Sequence, residues 1–169
     1  MTRNLMLAAG LAAAMAMGAV QAQTADKASQ KFITNAMESD YAEIDVGKLA
    51  EQKGTTQGVR DFGQQLVKDH SENLDKAKQV ASQLGVKDPG GASVTQKAEY
   101  LKLKVLSGAT FDKSFAKGMV SDHQADIKEF QKQSTKNDPA GQFAQDTLPT
   151  LQKHLQMAQS LTQQTTGSK

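Results

Sequence analysis

The chain has 169 residues, with 20 basic and 18 acidic side chains, a formal charge of +2, 5% aromatic residues and no cysteine. A nearly neutral, charge-mixed surface excludes the basic footprint of a nucleic-acid binder, and the missing cysteine excludes both a disulfide framework and a lipid-anchored Cys. The length suits one core rather than two, and abundant Gln, Lys, Ala and Leu with few β-branched residues favours helix.

The first element in chain order is a leader. Arg3 supplies a basic start, Leu5 to Val20 is an unbroken run of Leu, Met, Ala, Gly and Val, and Val20-Gln21-Ala22 offers small residues to a signal peptidase. The apolar run is short against a hydrocarbon core of about 30 Å, which argues against an uncleaved anchor. Cleavage after Ala22 is expected, leaving residues 23–169 as one domain with a charge of +1 once Arg3 is gone. No later segment reads as a transmembrane span and no run of short strands suggests a barrel, so the expected location is periplasmic or secreted, with any envelope association peripheral.

Helical punctuation then repeats. A first helix is predicted from Asp26 to Lys53 with Gly54 beyond it, and a second from Thr56 to Leu84, stopped by Gly85. Gly85 to Gly91 contains Pro89 and reads as loop. Ser93 and Gln96 have capping-box spacing and open a short helix ending at Gly108. Thr110 or Asp112 is expected to cap a helix running to Thr135. Asp138-Pro139 opens the last one, which Pro149 should kink and whose tail from Thr162 should fray. Two tight connections around a long one predict an all-α, ferritin-like four-helix bundle with a short extra helix in a lengthwise middle crossover.

An internal repeat supports paired hairpins. Phe62, Leu66, Val67, Asp69, His70 and Leu74 recur 53 residues on as Phe115, Met119, Val120, Asp122, His123 and Ile127. A weaker echo relates Phe32 and Glu43 to Phe143 and His154.

The three histidines fall on three different long helices, each with apolar neighbours at i±3 and i±4, so each imidazole belongs to or borders a buried stripe. Glu43 joins them from the first helix, on a face made small by Ala36, Ser39, Gly47 and Ala50. At about 1.5 Å per residue, all four side chains come near the middle of a bundle about 40 Å long. Two readings follow. In one, Glu43, His70, His123 and His154 bind a metal ion, and imidazole nitrogen with one carboxylate suits Zn, Cu or Fe. In the other, the same groups form a hydrogen-bonded layer that only fixes helix packing, in a non-catalytic envelope or stress-protective protein. Asp69, Asp122 and Asp126 are placed as supporting groups rather than ligands. A di-iron centre does not fit, because Leu66-Val67 and Met119-Val120 stand where Glu-x-x-His pairs would need carboxylates. No catalytic triad, phosphate loop or Cys cluster names an enzyme, and nothing names a protein partner.

Glu43 to Gly47 with Leu49-Ala50, Val67 to His70, Leu106 to Gly108 with Phe111-Asp112, His123, and Leu148 to Leu151 with His154-Leu155 together resemble the bacterial domain-of-unknown-function family 4142, whose members are labelled predicted outer membrane proteins. The match spans nearly all of residues 23–169 in order. It departs from the family pattern at Phe115, where Tyr is usual, and in the place of Pro89 along its loop. The resemblance implies a ferritin-like fold and export, accounts for Pro149, and implies no activity.

Overall fold

The computed structural model describes residues 26–167, and the expected leader and its cleavage site lie outside them. Among the described residues there are five helices and no strand: α1 Lys27–Lys53, α2 Gln57–Gln83, α3 Val94–Lys104, α4 Gly108–Gln133 and α5 Pro139–Gly167. Four long helices with the short α3 inside the long crossover make the ferritin-like bundle the punctuation predicted. No helix among the described residues is long and apolar enough to cross a membrane.

Local chemistry sets most of the boundaries. Asp26 accepts from the Ala28 N–H and Thr56 from that of Val59, capping α1 and α2. Gly85, at φ +66°, ends α2 in a left-handed turn that returns the Val86 N–H to the Ala81 carbonyl. Ser93 and Gln96 form the expected reciprocal cap of α3. Asp138 accepts from the Gly141 N–H, with Pro139 in the first turn of α5.

Three boundaries differ from expectation. The break after α3 falls at Val105–Ser107, so α4 begins at Gly108 rather than at a cap on Thr110 or Asp112. Asp112 is instead buried within α4, where it accepts from the backbone N–H and hydroxyl of Thr55 and ties the α1–α2 turn to this end of the bundle. The last helix holds Pro149 inside it, as expected, but continues past Thr162, where fraying was expected, to Gly167, with Leu161 buried against the core near Gly58.

At the opposite end Ser29 donates to Asp138, Gln133 to Ser29, and Gln30 to the Leu84 carbonyl. The start of α1, the ends of α2 and α4 and the start of α5 therefore share one end, and the crossover from α2 to α4 runs the length of the molecule. Pairing is closest within the hairpins α1–α2 and α4–α5; α2 also packs on α5, whereas α1 meets α4 more loosely and α3 lies across that seam. α3 buries no residue fully and turns Val94, Leu101 and Val105 outward, 86%, 59% and 81% exposed.

Two glycines set the register of the first hairpin. A Cβ added to Gly47 would stand 2.8 Å from the Gly63 carbonyl oxygen, and one added to Gly63 would stand 2.7 Å from that of Gly47. The α1 and α2 backbones thus touch at this level. Seven residues before Gly47 and seven after Gly63, two helical turns along each antiparallel partner, lie Asp40 and His70 at equal height.

The core divides in two. Phe32, Ile33, Met37, Phe130 and Phe143 anchor one apolar cluster, while Phe62, Leu66, Phe111, Phe115 and Met119 anchor the other. Between them lies a buried polar layer containing Asp40, Glu43, His70, His123 and His154. The internal repeat is visible as contact across the bundle: the Phe62 and Phe115 rings are 5.8 Å apart, and so are those of His70 and His123.

Glycine substitutions should separate by sign. Gly47→Ala or Gly63→Ala should lower stability by about 1–3 kcal/mol through forced separation of two backbones. Gly118→Ala, whose Cβ would meet nothing within 4 Å, should raise it by about 0.5–1 kcal/mol. Urea midpoints at unchanged slope measure both.

Candidate functional site

The polar layer is assembled from all four long helices. His70 comes from α2, His123 from α4 and His154 from α5, with exposures of 3%, 0% and 0%. One nitrogen from each lies within 4.8 Å of the other two. Ring centroids are 5.2–5.8 Å apart, a triangle of imidazoles at the centre of the bundle.

Each ring has an outward nitrogen held by an acceptor. His70 Nδ1 donates to Asp40 Oδ1 at 2.8 Å. Both Asp40 oxygens also accept from Asn73 Nδ2, at 3.1 and 2.9 Å, and Thr147 donates to Asn73 Oδ1, which fixes that amide's orientation. His123 Nδ1 lies 2.9 Å from the Met119 carbonyl oxygen, which can only accept, so this nitrogen carries the proton. His154 Nε2 donates to Asp69 Oδ2 at 2.9 Å, and Asp69 is further held by Gln65.

The inward nitrogens are then His70 Nε2, His123 Nε2 and His154 Nδ1. His123 Nε2 and His154 Nδ1 are 3.2 Å apart, and His70 Nε2 is buried with no hydrogen-bond partner. Burial first, and then the charge of His70, push His123 down to about 3 and His154 down to about 4, so both rings are neutral at pH 7. Burial also opposes the charge on Asp69, but hydrogen bonds from Gln65 and His154, with Lys68 nearby, hold it below the usual carboxylate range. With the outward protons assigned and both rings neutral, two lone pairs face each other across the 3.2 Å contact; a second proton on His154, balanced by Asp69, or a cation between the rings relieves that. His70 behaves differently: burial disfavours its charged form, yet the hydrogen bond and charge of Asp40, with Glu43 and Asp126, push it up.

Glu43, read from the sequence as a fourth ligand, does not join the group of atoms lying within 4.8 Å of one another. The Gly47–Gly63 crossing puts Asp40, three residues earlier, level with His70. Glu43 is 4% exposed, lines a neighbouring cavity, and leaves Oε2 without a partner. Burial raises it to about 8, helped by the charges of Asp122, Asp126 and Asp40 and opposed by His70. Of the three supporting aspartates, Asp69 contacts a histidine, that of α5. Asp122 and Asp126 line the cavity, each raised to about 6 mainly by burial, and Asp126 accepts from Ser39.

The cavity measures about 500 Å³ and occupies the seam between α1 and α4 under α3. Val46, Leu103, Leu106, Phe115 and Met119 form its apolar walls.

Sequence reasoning overlooked Asp40, whose spacing from Glu43 places it on the same helix face, and gave no role to Asn73, one turn from His70. The Met119 carbonyl carried no signal, since a backbone acceptor is invisible in a sequence.

The model of the family described as a domain of unknown function, DUF4142, matches residues 14–161. The chain belongs to this family. No curated protein matches it. A crystal structure of a DUF305 fragment from Deinococcus radiodurans superposes with a TM-score of 0.74 at 12% identity, covering 84% of this chain and 99% of that one. At that identity the likeness is one of fold.

Glu43 makes its own contribution to the pH dependence of metal-free protein. Its carboxyl stays protonated up to about 8 in the folded chain but ionises near 4.5 when unfolded, so this contribution to native stability falls as pH rises between those values, while His123 and His154, held neutral by burial, act in the opposite sense below 6.5. The difference between Glu43→Gln and the parent isolates it, gaining nothing at pH 4.5 and on the order of 4 kcal/mol by pH 8, read from urea unfolding in chelator.

Proposed function

We propose that this member of the family is an exported metal-binding bundle in which His70, His123 and His154 hold one Zn, Cu or Fe ion. The observation that supports it above all is the 3.2 Å approach of His123 Nε2 to His154 Nδ1, with their other nitrogens already donating. Two lone pairs at that distance repel unless a cation lies between them. A tetrahedral ion with bonds of about 2.0–2.1 Å keeps its ligand nitrogens roughly 3.3 Å apart, so this pair already has ligand spacing. The unpartnered His70 Nε2 is the third donor, within the 4.8 Å span of the group.

Metal ligation needs neutral imidazole, the form in which burial keeps His123 and His154; the proton that Asp40 favours on His70 leaves Nε2 as the ion binds. Asp40, the Met119 carbonyl and Asp69 play the part that outer acceptors take around zinc histidines, selecting the tautomer and aiming the free nitrogen inward. Three ligands leave a coordination position for water or an exogenous group. Export rests on the leader-like residues 1–22.

One observation favours a purely structural layer: the His70–Asp40 pair is a complete ion pair by itself. It supplies nothing to the contact between His123 and His154.

Protein isolated from its own compartment should carry about one Zn, Cu or Fe per chain by elemental analysis, and chelation should lower its thermal midpoint. His123→Ala should abolish metal binding with helical content retained by circular dichroism, and Asp69→Asn should weaken it about 10–100-fold. Metal-free protein whose unfolding is indifferent to added Zn(II), Cu(I), Cu(II) and Fe(II) would sink the proposal and leave the layer a packing device.

A further inference from the structure

We infer that the cavity between α1, α3 and α4 is a binding site for a small organic ammonium ion with an apolar body. This site is distinct from the histidine cluster and does not rest on metal binding there.

The first argument is an orphaned group. Glu43 is 4% exposed and its Oε2 has no hydrogen-bond partner, although it lines the cavity. A buried carboxyl oxygen left unpaired costs about 1–3 kcal/mol, and a donor that draws the Glu43 carboxyl round toward the cavity removes that cost.

The second argument is charge. Glu99, Asp122 and Asp126 line the cavity as carboxylates against the single base Lys102, with the protonated Glu43 beside them. Among the described residues, no ion pair includes Glu43, Asp122 or Asp126; Ser39 donates to Asp126. The wall therefore offers several acceptors and lacks a cation, a pattern matched by N–H donors carrying positive charge.

Size and apolarity then choose among cations. A metal ion needs oxygens within about 2.0–2.6 Å on several sides, which a chamber of about 500 Å³ with apolar walls does not supply. That volume lies instead in the range of small-molecule pockets, roughly 300–1,000 Å³. Leu103, Phe115 and Met119 suit an aliphatic or aromatic body attached to the charged head.

The third argument is Gly118. It stands in the middle of α4, where glycine costs about 1 kcal/mol against alanine, and a Cβ there would meet nothing within 4 Å. It lines the cavity, so the missing side chain leaves the space open.

Isothermal titration of the purified protein in chelator-containing buffer with n-hexylammonium, 1-hexanol and hexanoate tests the assignment. Hexylammonium should bind at least tenfold more tightly than hexanol, and hexanoate should not bind. At pH 9, where Glu43 is ionised and hexylammonium still charged, Glu43→Gln should weaken hexylammonium at least tenfold. Gly118→Leu should weaken its binding by narrowing the chamber, with circular dichroism unchanged. Equal affinity for hexanol and hexylammonium would reduce the cavity to an apolar hole and overturn the inference, as would an affinity that Gly118→Leu leaves unchanged. In chelator-free buffer, Mn(II) or Ca(II) displacing hexylammonium at lower concentration would overturn it in favour of an inorganic cation. Because the amine titrations hold chelator, and Zn(II) titration of the histidines is run separately in its absence, failure of the amine site and failure of the metal site are read independently.

Discussion

Backbone contact between Gly47 and Gly63 is the constraint on which the central layer depends. It brings α1 and α2 closer than any side chain would allow, and antiparallel geometry then carries the register two turns along to Asp40 and His70. Had the hairpin slipped by one turn, His70 would face an apolar residue or another carboxyl, and the amide of Asn73 would lose Asp40. The chain from Thr147 through Asn73 and Asp40 to His70 links α5, α2 and α1, so the first crossing is transmitted into the orientation of one imidazole.

The layer interrupts an otherwise apolar interior, and the protein manages that interruption unevenly. On the side of α2 and α5, every outward ring nitrogen meets a carboxylate or a carbonyl. Toward the centre neither His123 nor His154 offers a donor to the other, and His70 Nε2 finds no partner. Toward α1 and α4 the seam opens into a chamber whose acidic wall holds Glu43 without a partner. Loose packing between α1 and α4 and the lightly seated α3 produce that opening, while the tight hairpins on either side keep the histidines rigid. Rigidity at the imidazoles and space beside them are therefore consequences of the same arrangement of helices.

Much of this was legible in the chain itself. Periodicity placed each histidine beside a buried stripe, and counting residues from the turns placed them at one height. The caps at Ser93 and Asp138 were readable because a side chain three residues from its N–H partner leaves a spacing in the sequence. The start of α4 was not, since Ser107 begins the helix without a side-chain cap and Asp112 was committed elsewhere, to Thr55 across the bundle. Small residues around Glu43 signalled a close approach; which carboxylate that approach would deliver to His70 depended on register, and register is a relation between two helices.

Composition, punctuation and the repeat by themselves determined an all-helical bundle with a long crossover and a polar centre, because those properties are local or periodic along one chain. Only the tertiary structure decided that Asp40 rather than Glu43 holds His70, that a backbone carbonyl fixes His123, and that a cavity lies beside the layer. Each of these turns on distances between atoms of different helices, set by where two backbones touch and where two others stay apart.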